Sequence, residues 1–143
     1  MRYERQISNL REHGAITPCR VYNTDSGQNT DTFALIDTGG YASHIDNSLI
    51  TLLNLTTKGT VPVKGTAATH IITDFSTFHF SVSIIRPQES EKFFIESIQT
   101  DLSTELYKIV LGRDFLQHCT FIYSGKDNQF FHLDFSSAVR SSP

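Results

Sequence analysis

Residues 77–84, TFHFSVSI, set Phe78, Phe80, Val82 and Ile84 in strict alternation with Thr77, His79, Ser81 and Ser83. Successive side chains of a strand point to opposite faces, so this period of two predicts a strand with one face buried. Shorter apolar runs rich in Phe and β-branched residues recur along the chain: ITPCRVY (16–22), TFALI (32–36), KFFIESI (92–98), KIVLG (108–112), CTFIY (119–123) and QFFHLDF (129–135). Residues 59–72, GTVPVKGTAATHII, read as two further strands around a turn of small residues. Turn formers separate these runs, most clearly NTDSGQNTD (23–31) and SGKDN (124–128). Helical spacing is confined to Leu49, Ile50, Leu52 and Leu53, with Asp46 placed to cap the free N–H groups at the helix start. RDFLQH (113–118) has room for one or two more helical turns. Many short strands with one or two short helices predict an all-β, mostly β, domain.

At 143 residues the chain is one domain's worth of core. Residues 1–15 read as a polar arm or short helix, 16–135 as the core and 136–143 as a loose tail. Formal net charge is −3, and no basic block interleaves with aromatics, which argues against a nucleic-acid partner. Cys19 and Cys119 are too few for a disulfide framework, and reduced, buried thiols are expected. With no CxxC or HExxH and six scattered His, no metal or cofactor is expected. A His alternating with Phe, as at His79 and His132, reads as the outward face of a strand. The charged opening MRYERQISNLREHG is not a signal peptide, and no 18 apolar residues run together. The expectation is a cytoplasmic chain, or a soluble domain of a larger protein, with no membrane segment of its own.

FALIDTGGYASHID (33–46) runs an apolar strand into a carboxylate and two glycines. By itself Asp37 has three readings. It could bond nearby backbone N–H groups at a turn, belong to a phosphate loop, or act as a catalytic acid. A carboxylate at the end of a rigid strand, with glycines that allow close approach, suits a group held in a narrow geometry.

ALIDTGGYASHI (34–45) resembles the active-site strand of the retropepsins, the single-domain aspartic proteases of retroviral type, which looks like ALIDTGA. Their second signature is an apolar run, Gly-Arg-Asp or Gly-Arg-Asn, and an apolar pair. This chain has IVLGRDFL (109–116), with KGTAATHI (64–71) between the motifs. The resemblance spans roughly residues 16–135. It implies a small closed acid-protease-type barrel with a flap hairpin, and a homodimer that hydrolyses polypeptides by a water activated between two Asp37 carboxylates. Thr38 would hydrogen-bond across the dimer axis. Gly39 would let the substrate backbone lie against the loop and accept its N–H, and Gly40 and Tyr41 would extend the peptide site. Gly65, Thr66, Ala67 and Ala68 would form the flap tip, and Arg113 would tie the second motif to the active-site loop. Gly40 stands where Ala is commonest in that family. Tyr41 stands where retroviral members have an acidic residue that pairs with the Arg and with peptide backbone, which leaves the partner of Arg113 open.

Two other readings compete. The same fold without cleavage would serve as a dimerisation or peptide-binding module. LIDTGG also resembles the phosphate loop of actin-like ATPases and sugar kinases, but that site needs two large α/β halves, which 143 strand-rich residues do not supply.

Overall fold

The computed structural model describes residues 2–6, 10–64, 72–85, 88–126 and 129–136. Ten strands and three short helices follow in the order β1 (Arg2–Gln6), α1 (Leu10–His13), β2 (Ile16–Tyr22), β3 (Asn29–Ile36), β4 (Ser43–Asp46), α2 (Asn47–Leu52), β5 (Thr57–Lys64), β6 (Ile72–Ile84), β7 (Phe93–Thr100), β8 (Ile109–Leu111), α3 (Arg113–Leu116), β9 (Thr120–Ser124) and β10 (Phe130–Asp134). The mostly β character and the short helices agree with the sequence pattern. Asp46 caps α2 as its spacing predicts, accepting the Ser48 N–H at 3.0 Å.

Six strands close on themselves in the order β2-β3-β8-β4-β7-β6, because β6 returns to pair with β2. Closure leaves those strands no free edges, and β5 extends the sheet as a hairpin partner of β6. Pro18 lies in β2 opposite Phe33 of β3, while β6 pairs with β2 only from Cys19 onward. The missing N–H of the proline therefore falls where that second ladder has not begun. Alternation sets the apolar face of β6, but the strand is not half-buried as its period predicts. Thr77, Ser81 and Ser83 of the polar face are buried too, with the Ser81 hydroxyl against that of Thr24 at 3.1 Å and the Ser83 hydroxyl donating to Glu89 at 2.8 Å. Phe80, Val82 and Ile84 of β6 are fully buried, and they meet Ile95 of β7, Val21 of β2 and Ile109 and Leu111 of β8 in one core. Phe115 of α3 joins them, with edge-on contacts to Phe93 of β7 (5.5 Å between ring centroids) and to Phe135 (5.9 Å).

The structure differs from the sequence reading in three further places. Residues 2–6 form strand β1 rather than an arm, paired antiparallel with β10 in a separate three-stranded sheet, β1-β10-β9. Nothing local in RYERQ signals this, because its partner lies at the far end of the chain. β6 starts at Ile72, several residues ahead of the clear alternation, because β5 supplies it with a pairing partner. His132 is not outward-facing but buried, with its ring packed edge-on against that of Phe130 at 4.7 Å. Cys19 and Cys119 are free thiols, the first buried and the second half-buried. No helix among the described residues is long and apolar enough to cross a membrane.

Candidate active site

Asp37 stands where two parallel strands end together. β3 and β8 pair in parallel through Ala34 with Ile109, Leu35 with Val110 and Ile36 with Leu111. The Asp37 N–H extends this ladder by one bond to the Leu111 carbonyl at 2.9 Å. Beyond it the chain turns: the Gly40 N–H donates to the Asp37 carbonyl at 3.3 Å, and the Gly39 N–H donates to Asp37 Oδ1 at 3.0 Å. One carboxylate oxygen is thus held by backbone. The residue is half-buried, and Thr38 and Gly39 beside it are exposed.

The loop after Asp37 is fastened to the second motif by a clasp. The Arg113 N–H donates to the Gly40 carbonyl at 2.8 Å, and the Gly112 N–H to Ser43 Oγ at 3.1 Å. Ser43 then gives its own N–H (3.0 Å) and hydroxyl (2.6 Å) to the two carboxylate oxygens of Asp114. Gly112 is needed here for closeness rather than for backbone conformation, since its φ is an ordinary −89°. A Cβ on it would lie 2.7 Å from the Ala42 carbonyl oxygen and 2.8 Å from that of Gly40. Two stretches far apart in sequence therefore meet backbone to backbone under the carboxylate.

Of the residues singled out by sequence, Asp37, Thr38, Gly39, Gly40 and the Arg113 backbone come together at this point. The Arg113 side chain is exposed, and the side-chain tie between helix and loop is made by Asp114. Tyr41 projects outward with 84% of its surface exposed. Gly65, Thr66, Ala67 and Ala68 lie outside the described residues; β5 and β6 pair Thr57–Lys64 with Ile72–Phe78.

Sequence reasoning passed over Ser43 and Asp114, although Asp114 completes the quoted Gly-Arg-Asp. It also passed over His44 and Tyr107, which no local pattern marks as neighbours of Asp37. Burial pushes the pKa of half-buried His44 below the ordinary histidine value, while the charges of Asp37 and Asp114 pull it the other way. The Tyr107 hydroxyl is pushed up, first by burial and then by the carboxylates of Glu105 and Asp37. Among the described residues no group of three His, Cys, Asp or Glu side chains could hold a metal ion.

A cleft of about 820 Å³ opens beside the loop. Tyr41 and Ala42 of the loop and Arg113, Asp114 and Gln117 of the α3 region line it. Val61, Pro62 and Thr77 of the β5–β6 hairpin, with Phe94, Glu96 and Ile98 of β7, complete the lining. Such a trough has the size and mixed lining of a site for side chains of a bound chain.

No protein-family model matches the sequence, and no curated protein matches it. Solved structures do. A retropepsin-like aspartic protease from Rickettsia conorii superposes with a TM-score of 0.53 over 96% of this chain and 95% of that one, at 15% identity. The retroviral protease-like domain of Ddi1 from Leishmania major gives a TM-score of 0.49 over 89% and 97% of the two chains, at 12% identity. The EIAV protease in complex with the inhibitor HBY-793 gives 0.43 over 78% and 91%, at 21% identity. The chain has the retropepsin-like fold, a closed six-stranded barrel with an added hairpin.

Proposed function

We propose that the chain is an aspartic endopeptidase working as a symmetric homodimer, with Asp37 as its catalytic residue. The observation that carries this reading is the clasped loop. It presents one partly exposed carboxylate at the end of β3, with its backbone fixed to Leu111 and one oxygen held by Gly39. One chain supplies one such carboxylate, so a water-activating pair requires a second copy related by a two-fold axis. The exposure of Thr38 and Gly39 in the single chain is what a surface awaiting that copy would show.

Two carboxylates facing each other cannot both ionise readily, so the dyad shares one proton and titrates as a unit. The ionised member takes a proton from a water, whose oxygen attacks the scissile carbonyl carbon. The protonated member hydrogen-bonds the carbonyl oxygen as charge grows there and gives it the proton. Collapse of the resulting diol breaks the C–N bond: the ionised carboxylate takes one hydroxyl proton as the carbonyl re-forms, the protonated one gives its proton to the leaving amine, and the shared-proton pair is regenerated. Neither a metal nor an acyl-enzyme enters these steps. In this reading Thr38 braces the two loops across the axis, and the Gly39 carbonyl accepts a substrate N–H. Gly40 and Tyr41 border the peptide, Gly65 to Ala68 close over it, and Arg113 holds the loop.

The test compares wild type with Asp37→Asn on a peptide library at acidic and near-neutral pH, with sedimentation in parallel. The expected result is a dimer that cuts extended peptides and a variant that forms the same dimer and cuts none. A wild-type dimer that cuts nothing leaves the peptide-binding module as the better reading. A chain that stays monomeric at high concentration removes the shared dyad.

A further inference from the structure

The cleft beside the Asp37 loop has an unbalanced charge pattern. Three ionisable side chains at its mouth matter: Asp114, Glu96 and Arg113. Asp114 is occupied, because its oxygens accept the Ser43 N–H, the Ser43 hydroxyl and the Phe115 N–H at 3.0, 2.6 and 2.8 Å. Glu96 stands 3.4 Å from His79 Nε2 on the neighbouring strand. Arg113 is different: its guanidinium is exposed, and no described residue offers it a carboxylate. Tyr41, the loop residue that shares the cleft with it, is neutral and points outward. Arg113 is also anchored where a ligand would pass, because its own N–H holds Gly40 in the loop next to Asp37.

We infer that this cleft selects extended peptides carrying an acidic side chain, Asp or Glu, outside the pair of residues flanking the scissile bond, with Arg113 as the residue that reads it. The inference rests on the proposed function only in placing a peptide along the Asp37 loop. A planar guanidinium with open donors matches a carboxylate in two-point geometry, and the apolar hairpin and β7 residues opposite it bury the aliphatic stem. The two-fold relation adds a signature. Each protomer brings one cleft, so the preference appears at mirrored positions on both sides of the cleaved bond.

Binding is measured by fluorescence anisotropy on the full chain carrying Asp37→Asn, with extended peptides that differ only in Glu, Gln or Lys at each outer position. Glu peptides are expected to bind about three- to ten-fold tighter than Gln peptides, and Lys peptides weakest. The gap should shrink as salt rises. Arg113→Glu should reverse the order. Tyr41→Asp, on a side chain too exposed to disturb folding, should supply an internal carboxylate and erase the preference. Equal affinities for the three peptides, no binding of any, or a preference that survives both variants overturns the inference. Cleavage of the same peptides by the chain with its native Asp37 separates the two ideas. Cutting without charge preference overturns only the selectivity, whereas charge-selective binding without cutting overturns only the protease.

Discussion

Replacing Gly112 by Ala should be among the most damaging single-methyl additions to this chain. The new Cβ would sit 2.7 and 2.8 Å from the carbonyl oxygens of Ala42 and Gly40 and 2.9 Å from the Ala42 carbonyl carbon. Ordinary contact begins at 3.4 Å, so backbone must move by about 0.7 Å. No flexible side-chain end is available to yield, because all three atoms are backbone. The same displacement stretches the Arg113-to-Gly40 and Gly112-to-Ser43 bonds, now 2.8 and 3.1 Å, towards the limit of hydrogen bonding. Overpacking of this kind typically costs about 1–3 kcal/mol, and each of the two weakened bonds about 0.5–1 kcal/mol, which together give roughly 2–5 kcal/mol. For a chain of this size that lowers the melting temperature by on the order of 10 °C. Gly40→Ala is the control. Its Cβ would meet mainly the Asp37 carboxylate, at 3.0 Å from Oδ2, and a side chain can turn away. Neither glycine has a positive φ, so backbone strain does not distinguish them. Calorimetry on both variants reads the difference. A Gly112→Ala protein melting within about 2 °C of wild type, or a Gly40→Ala protein falling as far, would refute the backbone-clasp account.

Asp114→Ala strips the Ser43 N–H and hydroxyl of their acceptor and leaves the Phe115 N–H only the Gly112 carbonyl, and should lower stability by about 2–3 kcal/mol in urea unfolding. An unchanged urea midpoint would show that water replaces the clasp without loss. Asp46 supplies a pH prediction. Burial pushes its carboxyl up, but bonds from the Ser48 hydroxyl, the Leu102 N–H and the Ser48 N–H, with the charge of Lys108, outweigh burial and hold it below the ordinary value. Since the folded-state pKa is depressed, this stabilisation is complete above the unfolded value near 3.9 and is lost as pH falls through the folded one. Asp46→Asn keeps a capping oxygen but not the titration, so its melting temperature should fall less steeply below about pH 4 than that of wild type. Parallel acid limbs for the two proteins would remove Asp46 as a source of acid sensitivity.

Much of the local architecture is legible in the residues themselves. Alternation from Phe78 to Ile84 makes one face of β6 apolar and the structure buries it, but Thr77, Ser81 and Ser83 of the polar face are buried as well, which the alternation alone did not announce. Asp46 before Asn47–Leu52 marks the start of α2, and the cap forms. The paired signatures ALIDTGGYASHI and IVLGRDFL point to the barrel that the chain adopts. Each of these is a pattern among near neighbours, and short-range spacing determines which face of an element is apolar and where it starts.

What joins those elements is not written locally. RYERQ carries no signal that it pairs with FFHLD, and the bonds that hold the Asp37 loop link residues 69 and 71 positions apart. The Gly-Arg-Asp motif drew attention to Arg113, yet the side chain that grips the loop belongs to Asp114 and that of Arg113 is left facing the cleft. By itself, then, the sequence determined strand character, the capped helix and a carboxylate at the end of a strand. Tertiary structure decided which backbone lies under that carboxylate, which acid is consumed in holding it and which cation remains open. The reason is physical: hydrogen-bond partners are chosen by closure of the barrel around its Phe-rich core, and that closure is a property of all its strands together.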